Sequence, residues 1–566
     1  MDRLTQGFRP YLLLSLLCLV VYGPGLASVP PLDRDESRFI QATRQMMQSG
    51  DYVRIQFQDE MRAKKPVGAY WLQAAAVEAF SHPLSPSLWP YRLPGALAAW
   101  AAVVMTFGFG QSLLGRRPAF IAAILLATAV ILVSEAHQAK TDAVLLACVV
   151  AAQGTLARFY VAGRAKEMAP AGSGGCAGGS CGGAKGAVQG PGLAEALLFW
   201  VAQGVGILIK GPMVPVISLL TIAGLGFADR RVRWFVAMRP LVGAVVAAAI
   251  AAPWFVAISH ATGGAFVGQA IKSDLLPKLL GAQESHGAPP GYYTLLAALT
   301  FWPGSLFLWP AMVRVWAERH RLAYRFLLAW ALPAWAMFEL VPTKLPHYVL
   351  PVFPALALMT GGLVAEGADI FRGRGARIYY AAWSLIGVAL AAAAVALPIR
   401  FGDGFDRNAL PAAVGIVLAT LLPVALALKG RVATAALALS LTAAATFPAV
   451  LAGIMPGLDR LWVSRQVAAI VDSLGVSEPV ASAGFSEPSL VVLLGTHTRL
   501  TDGGGAARHL AAHPDSAAAV AAPEQAAFLS GVSAEGLQPQ AVGHVVGFNY
   551  SRGKPVDITI YQARRK

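Results

Sequence analysis

The chain has 566 residues, of which 56% are hydrophobic and only 13% charged. Soluble domains average about 25% charged residues, so this composition excludes an ordinary soluble enzyme and points to a polytopic membrane protein. The formal charge of +15 does not indicate a nucleic-acid partner, because Lys and Arg fall in short clusters between apolar runs rather than along one stripe.

The first apolar run covers residues 10–28. Its centre, Leu12 to Val21, has the length of a signal-peptide core, but the run continues to about Ala27 without a convincing cleavage site. It reads as an uncleaved first span. At about 20 apolar residues per span, further spans fall at 88–113, 117–134, 142–162, 193–209, 212–228, 239–257, 291–313, 325–341, 347–365, 378–398, 409–428 and 432–454, about thirteen in all.

The loops follow a charge rule. Alternate loops collect Arg3 and Arg9, Arg116 and Arg117, Arg164 with Lys166 and Lys185, Arg230 to Arg239, Arg314 to Arg325, Arg372 to Arg377, and Lys429 with Arg431. That bias marks their side as cytoplasmic, so the N-terminus is expected inside and the tail after about residue 455 outside. The outer side receives residues 29–87, "SEAHQAKTD", "KGP", 258–290, "PTKLPHY", "RFGDGFDRN" and the tail. Their content is chemical rather than topological.

Within the first outer loop, Glu36 to Met47 has a helical pattern with Phe39, Ile40, Thr43 and Met47 on one face. Lys64 to Phe80 reads as a second amphipathic helix with Pro66 near its first turn. Both suit the interface plane. The tail alternates short apolar runs with helix-like stretches and is expected to form a small α/β domain. No internal repeat is evident. Cys18 and Cys148 lie in apolar runs; Cys176 and Cys181 lie in "GSGGCAGGSCGGAKG", a flexible-loop composition and a weak metal signal.

Five outer motifs carry chemistry. Asp35-Glu36-x-Arg38, with Asp33 nearby, offers carboxylates for base or metal work, although acidic residues in a first turn also serve the helix dipole. Thr141-Asp142 opens a span and offers either an N-cap or a second carboxylate. Lys64-Lys65-Pro66, followed by Tyr70-Trp71, reads as headgroup contact or as a phosphate clamp. Lys210-Gly211-Pro212 and Lys344-Leu345-Pro346-His347-Tyr348 repeat a Lys close to a Pro at an outer helix end. Converging cations there suit an anionic, lipid-linked phosphate, with helix N-termini after the prolines in support.

The stretch "DRDESRFIQATRQMMQSGDYVRIQFQDEMRAKKPVGAYW" resembles the first periplasmic loop of family 39 GT-C glycosyltransferases. The likeness is to bacterial 4-amino-4-deoxy-L-arabinose lipid A transferases and their protein O-mannosyltransferase relatives. "KTD", "KGP", "PWFVAI", "GYY" and "TKLPHY" follow in the family's order, so the likeness covers most of residues 30–360.

The resemblance implies a mostly α, polytopic GT-C bundle with periplasmic juxtamembrane helices. Residues 1–455 would form the catalytic membrane domain, with 29–87 its first periplasmic loop, and 456–566 a periplasmic α/β domain. It implies an inner-membrane glycosyltransferase that moves a sugar from a polyprenyl-phosphate donor to a lipid A-like or protein acceptor. Asp35 and Asp142 would be catalytic, and Lys65, Arg38, Lys210 and Lys344 would hold the donor phosphate. Glu36, Tyr70, Trp71, His286, His347 and Tyr348 are further site candidates. Displacement at the sugar carbon passes through an oxocarbenium-like state while charge grows on the phosphate, which is what these residue types stabilise.

No cofactor is required by this chemistry. A divalent metal stays open: Lys64 stands where metal-binding members tend to have Glu, and Gly264 to Lys278 lacks the usual Glu-His pair. Two alternatives have different chemistry. An oligosaccharide transferase or protein O-glycosyltransferase would share the fold. A lipid-linked sugar transporter would instead place ionisable groups near the midplane and show repeated halves.

Overall fold

The computed structural model describes residues 5–168, 190–275 and 287–565. Cys176, Cys181 and His286 lie outside them. Among the described residues, eight helices are long and apolar enough to cross a membrane, or up to ten if each of two bent pairs counts as one span. The expected count of about thirteen is therefore not reached by length and composition. The helix Arg9–Tyr22 stops short of residue 28, with Pro24, which has no N–H to continue the helical ladder, just beyond it. The helix Met213–Asp229 is also short. Residues 292–317 bend by 119° between Tyr292–Thr300 and Gly304–Ala317. Pro303 lies at this break and has no N–H to continue the helical ladder.

Burial sorts the spans. Pro346–Glu366 and Asp142–Ala165 are 89% and 83% buried, whereas Pro240–Ala261 and Arg374–Phe401 are each 28% buried. The outer helices expose large apolar side chains such as Leu241, Val245, Leu385 and Phe227. A solvent of hydrocarbon makes that exposure neutral. The two innermost spans are the ones that begin at Asp142 and beside His347, so the site described below stands on the most constrained helices.

The first loop folds as a cover. A helix over Asp35–Ser49 leads into a small hairpin of β1 (Gln56–Phe57) and β2 (Glu60–Met61), then into the helix Gly68–Phe80. Phe39, Met46, Val67 and Tyr70 form one apolar cluster with Leu208 and Trp254 of two spans. Gly68 permits the contact, since a Cβ there would sit 2.8 Å from the Leu208 carbonyl oxygen.

Residues 463–565 form a five-stranded sheet in the order β4-β3-β5-β7-β6, with β3 at Ala481–Ala483, β4 at Arg499–Thr501, β5 at Ala518–Ala521, β6 at Leu537–Asn549 and β7 at Lys554–Arg565. β3 pairs with β4 and β5 in parallel, while β7 runs antiparallel to β5 and β6. Helices cover both faces. Ala519 and Ala521 pack with Val463 and Leu490, whereas Ala518 and Val520 pack with Leu510 and Phe528, as the two-residue period of a strand requires. This domain docks on the first loop: Arg44 donates to the Val492 carbonyl at 2.7 Å, and Gln41 donates to Thr496 Oγ1 at 2.7 Å.

Candidate active site

A cavity of about 350 Å³ opens where the first loop, the ends of three spans and the C-terminal domain meet. Its walls carry seven Lys and Arg side chains (Arg34, Arg38, Arg62, Lys64, Lys65, Lys140 and Lys210) against three Asp, namely Asp33, Asp35 and Asp142. An anionic ligand is the natural complement of that excess.

Helix ends bring the charges there. Asp35 is the first residue of the helix Asp35–Ser49 and Asp142 the first of Asp142–Met168, where the dipole favours a carboxylate. Lys210 is the last residue of Leu193–Lys210, where the dipole favours a cation, and Gly211 at φ +63° turns the chain away. Lys210 Nζ donates to Asp142 Oδ1 at 2.5 Å, and its ammonium lies 5.1 Å from the Tyr348 ring centroid. His347 Nε2 stands 3.8 Å from Asp142 Oδ2. Lys140 Nζ pairs with Glu135 Oε1 at 2.9 Å and reaches His347 Nδ1 at 3.5 Å.

Asp35 differs from Asp142. Its side chain is 51% exposed, into the cavity, and Arg62 Nη2 stands 3.9 Å from its Oδ1. Burial among protein atoms works to raise its pKa, but Arg62, Lys140, His347 and Lys65 outweigh it and hold the carboxyl below the ordinary value. For Lys140, burial works to lower the pKa, and the carboxylates of Glu135 and Asp142 reverse that and raise it. Both groups are therefore ionised at neutral pH.

Most of the residues singled out from the sequence meet here: Asp35, Arg38, Lys65, Asp142, Lys210, His347 and Tyr348 all line the cavity. Four others do not. Glu36 is fully buried in a lock, bonding Arg92 Nε at 2.7 Å and Nη2 at 2.9 Å and accepting from the Leu32 and Ala139 N–H groups. Lys344 turns away from the cavity and caps a helix end, donating to the carbonyls of Glu339 at 2.8 Å and Val341 at 2.6 Å. A donor-phosphate role for Lys344 is therefore corrected to a structural one.

Tyr70 is buried, receives a hydrogen bond from Arg62 Nε at 3.2 Å and stacks on Phe39, so it holds Arg62 from behind. Trp71 donates to the Tyr52 carbonyl at 2.8 Å on the outside of the loop.

Sequence reading missed Arg62, Lys140, Glu135, Tyr550 and Ser551. Lys140 precedes the "TD" pair and was within reach of it. Arg62 enters through the β1–β2 hairpin, whose four strand residues carry no readable period. Tyr550 and Ser551 come from a turn more than 500 residues along the chain from Asp35, and only the docked domain reveals them. Among the described residues, no group of three or more His, Cys, Asp or Glu is placed to hold a metal ion.

A family model described as dolichyl-phosphate-mannose-protein mannosyltransferase matches residues 64–177. The chain is 25% identical over 360 residues to undecaprenyl phosphate-alpha-4-amino-4-deoxy-L-arabinose arabinosyl transferase 2 of Pseudomonas fluorescens, covering 63% of this chain and 56% of that one. It is 26% identical over 364 residues to the corresponding arabinosyl transferase of Pectobacterium carotovorum, covering 61% and 57%. The chain thus spans somewhat over half the length of these curated relatives. Its fold matches the crystal structure of ArnT from Cupriavidus metallidurans in the apo state with a TM-score of 0.70 at 18% identity, over 97% of both chains. The chain has the GT-C fold. With that fold it is a multi-pass membrane protein with a small C-terminal sheet domain.

Proposed function

We propose that this protein is a GT-C glycosyltransferase that transfers a sugar from a polyprenyl-phosphate donor to a lipid A-like acceptor at the periplasmic face of the bacterial inner membrane. In this reading the N-terminus is cytoplasmic and the C-terminal domain periplasmic. The carrying observation is the cavity itself, where three carboxylates stand among seven cationic side chains at the ends of an apolar bundle. A prenyl chain needs hydrocarbon beside the place where its phosphate is held, and a cavity at the bundle rim supplies both. A second supporting fact is that ArnT from Cupriavidus metallidurans, which shares the fold with a TM-score of 0.70, has a crystal structure bound to undecaprenyl phosphate.

The roles follow from the charges. Lys65, Arg38 and Lys210 stabilise the negative charge that grows on the departing phosphate, joined by Arg62 and Lys140. Asp142 is held by Lys210 and His347 and keeps that cation in place. Asp35 stays ionised below the ordinary carboxyl pKa, which makes it a poor proton acceptor for an alcohol. Such a carboxylate instead suits an acceptor that is already ionised, or the positive charge that develops at the sugar carbon. Direct displacement with inversion needs nothing further from the protein.

The test is the mass spectrum of lipid A and glycolipids from cells lacking this protein. Loss of a sugar-mass increment from a lipid is the expected result. An unchanged lipid profile with unglycosylated periplasmic proteins would move the acceptor to protein. No change in either would overturn the reading.

A further inference from the structure

Arg34, immediately before Asp35, has φ 66° and ψ −104°. This is close to the first central position of a type II′ turn, a conformation glycine adopts freely and a residue with a Cβ resists. The Arg34 carbonyl accepts from Arg38 N at 3.1 Å and so begins the helix that presents Asp35. A resisted backbone conformation persists where neighbours over-determine it.

The neighbours come from two sides. On the loop's own side, Glu36 accepts from Leu32 N at 2.9 Å and Ser37 Oγ donates to the Leu32 carbonyl at 2.6 Å. On the other side stands the C-terminal domain. Asp33 N donates to Tyr550 Oη at 2.7 Å, Arg34 Nη2 donates to the Ser551 carbonyl at 2.6 Å, and Ser489 Oγ donates to Asp33 Oδ1.

The turn that carries Tyr550 and Ser551 is braced. Asn549 donates to the buried Glu487 at 2.8 Å and accepts from Ser551 Oγ at 2.9 Å, while Arg552 Nε donates to the same Glu487 oxygen at 3.1 Å. The Tyr550 ring meets Trp462 at 5.9 Å, where the domain joins the bundle. A rigid tip thus grips the two residues that precede the carboxylate in the cavity.

We propose that the C-terminal domain is a positioning element of the active site, and that Tyr550 and Ser489 hold the Asp33–Arg34 turn so that Asp35 faces the reacting centre. The proposal rests on the function given above. It makes the β6–β7 hairpin part of the catalytic apparatus without contact between Tyr550 and the reacting atoms.

The experiment is a mutant cycle on the purified full-length protein in lipid vesicles, with a polyprenyl-phosphate-linked sugar as donor. Tyr550→Phe removes one hydroxyl acceptor. It is expected to lower kcat roughly three- to tenfold, the range of one lost hydrogen bond, at unchanged KM for the donor. Tyr561→Phe, whose hydroxyl accepts from Gln525 elsewhere in the domain, serves as control and keeps wild-type kcat. In an Arg34→Gly background the turn needs no clamp, so Tyr550→Phe there should lower kcat less than twofold.

An equal drop in both backgrounds, or wild-type kcat in Tyr550→Phe, overturns the proposal. If Tyr550→Phe does not fold, Ser489→Ala is read in the same cycle with the same criteria. If the wild-type protein transfers no sugar, the functional reading fails; if it does and the cycle shows no coupling, the positioning proposal alone fails.

Discussion

Asp35 and Glu36 are neighbours in the chain and belong to two different electrostatic regions. Glu36 sits fully buried in a lock with Arg92, which also donates to the carbonyls of Leu26, Val29 and Pro30. Asp35 is half-exposed into a cavity of cations and has Arg62 at 3.9 Å. The lock satisfies both carboxylate oxygens and ties the first loop to the span Trp89–Leu114 and to Ala139. The cavity leaves its carboxylate open on one side. Two adjacent acids thus serve stability and, in the proposed function, chemistry, and their partners, not their type, decide which.

Glu36→Ala should break this contrast most severely on the stability side. It strands the buried Arg92 guanidinium, and removing one partner of such a pair costs about 3–5 kcal/mol. Thermal unfolding in detergent should report that loss, with a matching fall in folded yield. Lys210→Met acts on the other region. Removing one preorganised cation from a site of growing negative charge should cut kcat by roughly 10²- to 10³-fold. It also leaves the buried Asp142 without its cation, so the melting temperature should fall as well.

A smaller effect belongs to Asp33, at the join between the regions. Burial is the main cause that pushes its carboxyl up to about 6, with Glu487 adding to it and the bond from Ser489 opposing it. An unfolded Asp has a pKa of about 3.9. The folded state therefore holds its proton more tightly, and the stability it gains from protonated Asp33 is present at low pH and lost as pH rises through about 6. The gap in melting temperature between wild type and Asp33→Asn should widen, in the variant's favour, from pH 5 to pH 7.5. A gap independent of pH would remove Asp33 from this account.

The fold was legible from apolar runs and loop charge, because a membrane span declares itself in about 20 residues without tertiary help. Span count was less legible. Breaks at Pro303 and after Tyr22 depend on local backbone chemistry that a hydropathy window averages away. The site was legible where helix ends carry it, as at Asp35, Asp142 and Lys210. Lys344 misled because a Lys beside a Pro at an outer helix end looks the same whether it faces a ligand or caps two carbonyls. Tyr550 and Ser551 were beyond sequence reasoning, since nothing local to a hairpin turn announces which distant helix it will grip.

The most direct test of the central claim is sugar transfer by purified wild-type and Asp35→Asn protein in vesicles containing a polyprenyl-phosphate-linked sugar and a lipid A acceptor. The variant keeps the shape of the side chain and removes its charge. The account predicts transfer by the wild type, a loss of at least about 10²-fold in the variant, and melting temperatures that agree closely. Equal rates in the two proteins would contradict it.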